Sequence, residues 1–194
     1  EHAERRSVAV RSGDSAAHVA ITFAAYNVGP CRNLDDDKLC RIYERRPLVC
    51  RIYPAEINPH IPLIPAAKDC PPESWEQGPL LIVGGELVDQ ELVELIQRSR
   101  QADRDDIRSK DAICAALGIR TTALKGDGFT AYLPNMDAFA KVIDQVNAQS
   151  LDEVASEWLF HLSGEDVAAQ VRAAGARVVT EPALTYAFIS LRAA

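Results

Sequence analysis

The chain alternates between two textures, short runs of β-branched residues and longer stretches with helical spacing, with an aperiodic stretch between them. Val8-Ala-Val10 and His18-Val-Ala-Ile-Thr-Phe23 flank the turn-forming cluster Arg11-Ser-Gly-Asp-Ser15. This predicts two short strands joined as a hairpin. Residues 31 to 79 hold no sustained apolar period and read as loops with one short helix near Arg41 to Arg45. From Val88 onward the pattern becomes helical. Leu87, Leu92, Leu95 and Ile96 recur at helical spacing, followed by Ile107, Ile113 and Leu117, with Gly118 as a natural stop. The charged stretch Arg98 to Lys110 is read as either a break or a solvated helix face.

Phe129-Thr-Ala-Tyr-Leu133 alternates as a strand ended by Pro134. Phe139, Val142, Ile143 and Val146 mark a further helix. Leu151 to Leu162 predicts another, capped by Ser150 or Asp152, and Glu165 to Ala174 one more, ended by Gly175. Arg177-Val-Val-Thr180 predicts a last strand. The resulting class is α+β, mainly α, with a loop-rich cysteine region and short strands packed on a helical C-terminal half. Residues 1–80 are read as strands plus cysteine region and 81–194 as mainly helical, the two forming one continuous globular body.

Composition narrows the function classes. The 194 residues are 47% hydrophobic and 25% charged, which excludes wholesale disorder. Basic residues number 21 against 28 acidic, a net charge of −7, which argues against a nucleic-acid binder. No run approaches the ~20 apolar residues of a membrane span, and no secretory signal is visible, so the chain reads as cytoplasmic without a membrane partner. The first residue is Glu1, which reads as the start of a processed product or a fragment.

The concentrated chemistry lies in the aperiodic stretch. Four of the five cysteines, Cys31, Cys40, Cys50 and Cys70, fall there together with most of the prolines. In a reducing compartment clustered thiols point to metal or redox chemistry more than to disulfides. Zinc and iron–sulfur clusters both suit sulfur ligands. No Cys-x2-Cys knuckle is present, and the intervals are wide and irregular, which suits a cuboidal iron–sulfur cluster slightly better than zinc. Arg32, Lys38, Arg41 and Arg51 stand beside the cysteines and would offset thiolate charge. Disulfides, or four buried free cysteines acting as small apolar residues, are the alternatives that spacing leaves open.

The run from Cys31 through Cys40-Arg-Ile-Tyr-Glu-Arg-Arg-Pro-Leu-Val-Cys50-Arg-Ile-Tyr-Pro54 resembles the bacterial cysteine-cluster proteins of the YkgJ type. That family is described as zinc- or iron-chelating, and flagellin lysine-N-methylases carry a related domain. The matching positions are Cys31, Leu34, Cys40, Ile42, Tyr43, Arg46, Pro47, Cys50, Arg51, Tyr53 and Pro54, with Cys70 resembling the last cysteine of the signature. The resemblance implies that these cysteines bind metal, and it carries protein methylation as an alternative function. A methyl-donor pocket has no visible glycine-rich motif. The family's further cysteine group, of the Cys-x2-Cys type, is absent from residues 1–30 and is expected upstream of Glu1.

The motif's other residues have structural expectations: Tyr43 packed under the site with its hydroxyl bonded, Pro47 turning the chain toward Cys50, Arg46 and Arg51 on loop carbonyls or sulfurs. Cys114, on an apolar helical face, reads as core. His60 reads as a loop histidine with a secondary claim as ligand, and His161 as a helix-end cap. Asp35-Asp-Asp37 and Lys125-Gly-Asp-Gly128 read as turns, not as calcium or phosphate loops.

Overall fold

The computed structural model describes residues 6–24, 28–58, 60–149, 155–181 and 183–191. In chain order the elements are β1 (Val8–Ser12), β2 (Ser15–Val19), α1 (Leu48–Ile52), β3 (Ile82–Val83), β4 (Glu86–Leu87), α2 (Gln90–Asp105) and α3 (Ile107–Ala116). They continue with β5 (Thr121–Ala123), β6 (Gly128–Ala131), α4 (Met136–Asn147), β7 (Ser156–Glu157), β8 (Leu159–His161), α5 (Glu165–Ala173), β9 (Val178–Val179) and β10 (Ala187–Ser190). The class is α+β with helix predominating. No helix among the described residues is long and apolar enough to cross a membrane. The chain forms two compact units, Glu1–Thr22 with Asp106–Ala194, and Phe23–Asp105.

In the first unit β1 and β2 form the expected hairpin, in register from Val8↔Val19 to Ser12↔Ser15. The second strand ends at Val19, short of Phe23. Gly13 occupies the turn at φ 60°, and a Cβ there would stand 2.6 Å from the Gly175 carbonyl oxygen, so glycine is required twice over. β7 adds to β1 in parallel, giving the order β2-β1-β7. Val10 and Val19 pack with Cys114 and Trp158 into one core cluster. Ser12 is fully buried and fully bonded, its hydroxyl accepting from Arg177 N–H at 3.0 Å and donating to Arg177 O at 3.3 Å. A second, parallel sheet has the order β5-β8-β9, with α5 crossing from β8 to β9. β6 pairs with β10 antiparallel. α3 and α4 share a further cluster of Ile113, Val142 and Val146. Asn135 caps α4, accepting from Asp137 N–H and Ala138 N–H at 3.0 Å each.

The helix expected over Leu151 to Leu162 is corrected. Residues 151–154 and the candidate cap Ser150 lie outside the described residues, and Ser156–Glu157 and Leu159–His161 are strands. Phe160, His161 and Leu162 are all buried, a continuous apolar pattern that a strand covered on both faces shares with a helix. β5 and the β3–β4 hairpin, which turns on Gly84 and Gly85, both at positive φ, carry too few residues for a period to show.

In the second unit α1 packs on α2 through Ile52, Ala55, Leu95 and Ile96. α2 runs unbroken through its charged stretch to Asp105, and α3 begins two residues later, so Arg98 to Lys110 contains both a solvated face and a break. The short helix expected near Arg41 to Arg45 is a single 3-10 turn, Tyr43–Arg45. A five-residue helix is too short to persist alone. α1 is therefore held by the burial of Ile52, which is 1% exposed.

Candidate metal centre

The four clustered thiols are positioned by two local devices. Residues 31–41 fold back on themselves. Cys31 O accepts from Leu34 N–H at 3.0 Å, Leu34 and Cys40 form an antiparallel bridge, and Arg41 N–H donates to Asn33 O at 2.9 Å. The tip is closed by Asp35, whose Oδ1 accepts from Leu39 N–H at 2.7 Å, and by Lys38 in the left-handed region at φ 61°. The Asp35-Asp-Asp37 run is thus a turn. Arg41 also reaches Arg32 O at 2.9 Å, drawing together the residues next to Cys31 and Cys40.

Cys50 and Cys70 are linked differently. Pro47 sits just before α1, and its carbonyl accepts from Cys50 N–H at 3.0 Å and Arg51 N–H at 3.1 Å. Proline turns the chain into α1 here, as expected. Cys50 lies on the exposed side of α1 and Ile52 on the buried side. Just past α1, the Tyr53 hydroxyl accepts from the N–H of Asp69, the residue before Cys70, at 2.8 Å. Lys68 pairs with Glu56 and lies 5.7 Å from the centre of the Tyr53 ring. The segment carrying Cys70 is docked in this way on the segment that follows Cys50.

All five cysteines are free thiols, Cys31 and Cys50 exposed and Cys40 and Cys70 half-buried. Among the described residues no three His, Cys, Asp or Glu side chains stand together in a metal-holding group. The fold therefore ties Cys31 to Cys40 and Cys50 to Cys70 through their local neighbourhoods, but does not gather all four sulfurs around one point. The donor chemistry nonetheless fits a soft metal, since these are accessible sulfur ligands on loops with little apolar packing. Nearby, the Trp75 indole N–H is buried without an acceptor among the described residues, on the turn Pro72–Trp75 that follows Cys70.

Cys114 is unlike the other four. It is 3% exposed in the first unit's core, and burial, with the Asp111 carboxylate adding to it, pushes its thiol up to about 11. It stays protonated at neutral pH and is unsuited to ligation. Tyr43, expected to pack beneath the site, is 58% exposed, with the Arg46 guanidinium 3.7 Å above its ring and Arg46 Nε donating to Tyr43 O at 3.0 Å. The motif's Tyr43 and Arg46 thus brace one another. Arg51 contacts Glu91 of α2 at 3.2 Å instead of a sulfur. His60 is an exposed loop residue whose N–H donates to Asn58 Oδ1 at 3.0 Å. The part played by Tyr53 was not evident from spacing, because Tyr53 and Asp69 are 16 residues apart and meet only through the fold.

Residues 2–71 match the family model CxxCxxCC, described as "Putative zinc- or iron-chelating domain". The matched segment contains Cys31, Cys40, Cys50 and Cys70 and no Cys-x2-Cys pair. Neither a curated protein nor a solved structure matches the chain.

Proposed function

Taking residues 2–71 as a member of this zinc- or iron-chelating cysteine-cluster family, we propose that the chain binds one metal centre through Cys31, Cys40, Cys50 and Cys70. The observation that carries this reading is the partition of the cysteines. The four accessible thiols all lie in the matched segment, and the one outside it is a protonated core residue. The intervals of 9, 10 and 20 residues favour an iron–sulfur cluster over zinc, because small zinc sites commonly use tightly spaced pairs. A bound centre would cross-link the 31–41 loop, α1 and the segment ending at Cys70. Arg32 and Lys38 stand beside the ligands in sequence and would offset part of the thiolate charge.

Metal analysis of anaerobically purified protein tests this reading, with visible absorption separating a cluster from zinc. Each of Cys31→Ser, Cys40→Ser, Cys50→Ser and Cys70→Ser is expected to lower metal content by a similar, large fraction. Cys114→Ser should leave it unchanged. Full occupancy in Cys70→Ser would replace that ligand by another, with His60 the first to substitute.

A further inference from the structure

The two-stranded sheet of β6 and β10 lies outside the segment matched by the family model, and its outward face has no role in the metal centre. Side chains alternate between the two faces of a strand, so even-numbered and odd-numbered residues separate here. The even-numbered ones turn inward. The Thr130 hydroxyl donates to Thr121 O at 3.3 Å, and the Tyr132 hydroxyl donates to the same oxygen at 2.7 Å. Phe188 stacks on the buried His161 ring, and the Tyr186 hydroxyl is 2.8 Å from its Nδ1. The odd-numbered ones turn outward. Phe129 lies opposite Ile189 and Ala131 opposite Ala187, and all four are exposed. Leu191 continues the row, its N–H donating to Asp127 O at 2.9 Å, and Leu133 stands just past the end of β6.

An antiparallel sheet with one face in water is ordinarily polar on that face, and this one is apolar. Exposure runs from 41% at Ile189 and 48% at Phe129 to 61% at Leu191 and 84% at Leu133, so the six side chains offer about 500 Å² of contiguous apolar surface, the size of an interaction patch. A partner for such a face has to be flat and free of charge, and a second copy of the same face meets both requirements. The surface also fits itself in relief. The pair Ala131–Ala187 forms a low step between the Phe129–Ile189 ridge and Leu133, and a two-fold axis lets the ridge of each copy settle over the step of the other. Two faces packed in this way remove about 1,000 Å² from water, the lower limit for a specific interface. The net charge of −7 per copy opposes association, but none of it lies on this face. We propose that the chain forms a two-fold dimer in which the outer faces of two β6–β10 sheets pack together. The dimer is independent of the metal centre.

The test is sedimentation velocity of the full chain over a range of concentrations, before and after metal removal. Reducing buffer prevents disulfide links through the exposed Cys31 and Cys50. A reversible monomer–dimer equilibrium with a micromolar dissociation constant is expected, as befits an interface of this size. Ala131→Lys and Ile189→Lys should each weaken it at least about tenfold, because a lysine buried in an apolar contact is desolvated without a partner. Each substitution brings the net charge closer to zero, so general repulsion cannot explain the loss. Both positions point outward, so circular dichroism should match the parent. Leu80→Lys, at a position 72% exposed and outside this sheet, should leave the equilibrium unchanged. A parent that stays monomeric at about 100 μM would overturn the proposal whatever the variants do. So would a dimer that both sheet variants leave intact, one that Leu80→Lys weakens equally, or one that disappears with the metal.

Discussion

The His161 imidazole is 3% exposed at the end of β8. It stacks on Phe188 with ring centres 4.3 Å apart, and its Nδ1 is 2.8 Å from the Tyr186 hydroxyl. Burial holds its pKa below the ordinary 6.5, with the Asp127 carboxylate offsetting part of the effect. Asp127 is itself buried and accepts from Ser163 N–H at 2.7 Å and from the Ser163 hydroxyl at 2.5 Å. Tyr132 adds a second hydroxyl beside Tyr186, the ring centres 5.2 Å apart, and burial pushes its pKa up to about 12, so both partners are neutral throughout the physiological range. The unfolded chain binds a proton at His161 more readily than the folded chain does. His161 therefore favours the folded state fully above pH 6.5, and that contribution is lost as pH falls through 6.5 towards the lower folded value. Urea unfolding across this window should show stability falling with pH in the parent and a shallower slope in His161→Phe. Equal slopes would mean that the imidazole is hydrated in the folded protein. The sequence reading of His161 as a helix-end cap is overturned for the reason that placed the neighbouring helix wrongly: the apolar and aromatic run from Trp158 to Leu162 has no visible period.

Among the elements, α1 is the most dependent on its surroundings. It has five residues and no side-chain cap, and it carries Cys50 on one side and Ile52 on the other. Burial of Ile52 against Ala55, Leu95 and Ile96 supplies what the backbone alone does not. Ile52→Ala is expected to lower unfolding stability by about 2–5 kcal/mol, the range for large-to-small core changes. Val49→Ala, at a position 60% exposed, should change it by less than ~0.5 kcal/mol. Comparable losses in the two variants would show that Ile52 is not the anchor. α4, by contrast, was legible from its period, since Phe139, Val142, Ile143 and Val146 repeat at helical spacing, while its cap Asn135 emerged from the structure.

At the scale of the whole molecule, support for the fold is uneven. The first unit has two packed clusters and three small sheets. In the second, the described core is the α1–α2 cluster, and residues 31–79 hold many exposed apolar side chains, among them Leu39, Val49, Ile61 and Ile64. If the thiols hold a metal, its removal should speed amide hydrogen exchange across residues 31–79 while α3, α4 and the sheets keep their protection and most helical circular dichroism survives. Global loss of helix on chelation would instead make the centre a staple for the entire chain.

What the sequence determined by itself was whatever is written in neighbouring residues. The hairpin of β1 and β2 is legible from Gly13 between β-branched runs, α4 from its period, and the core placement of Cys114 from its apolar helical face. The candidate ligands in residues 31–70 are legible from four thiols and the signature around them, because donor type is a property of the residue. Tertiary structure alone decided which distant residues meet. Thr121–Ala123 becomes a strand because β8 offers it a parallel edge. Tyr53 comes to hold Asp69, next to Cys70, and the helical run from residue 90 to 116 is divided between two units at Asp106. Parallel pairing and contacts between distant residues depend on bringing remote segments together, and that loop closure leaves no periodic mark on the segments themselves.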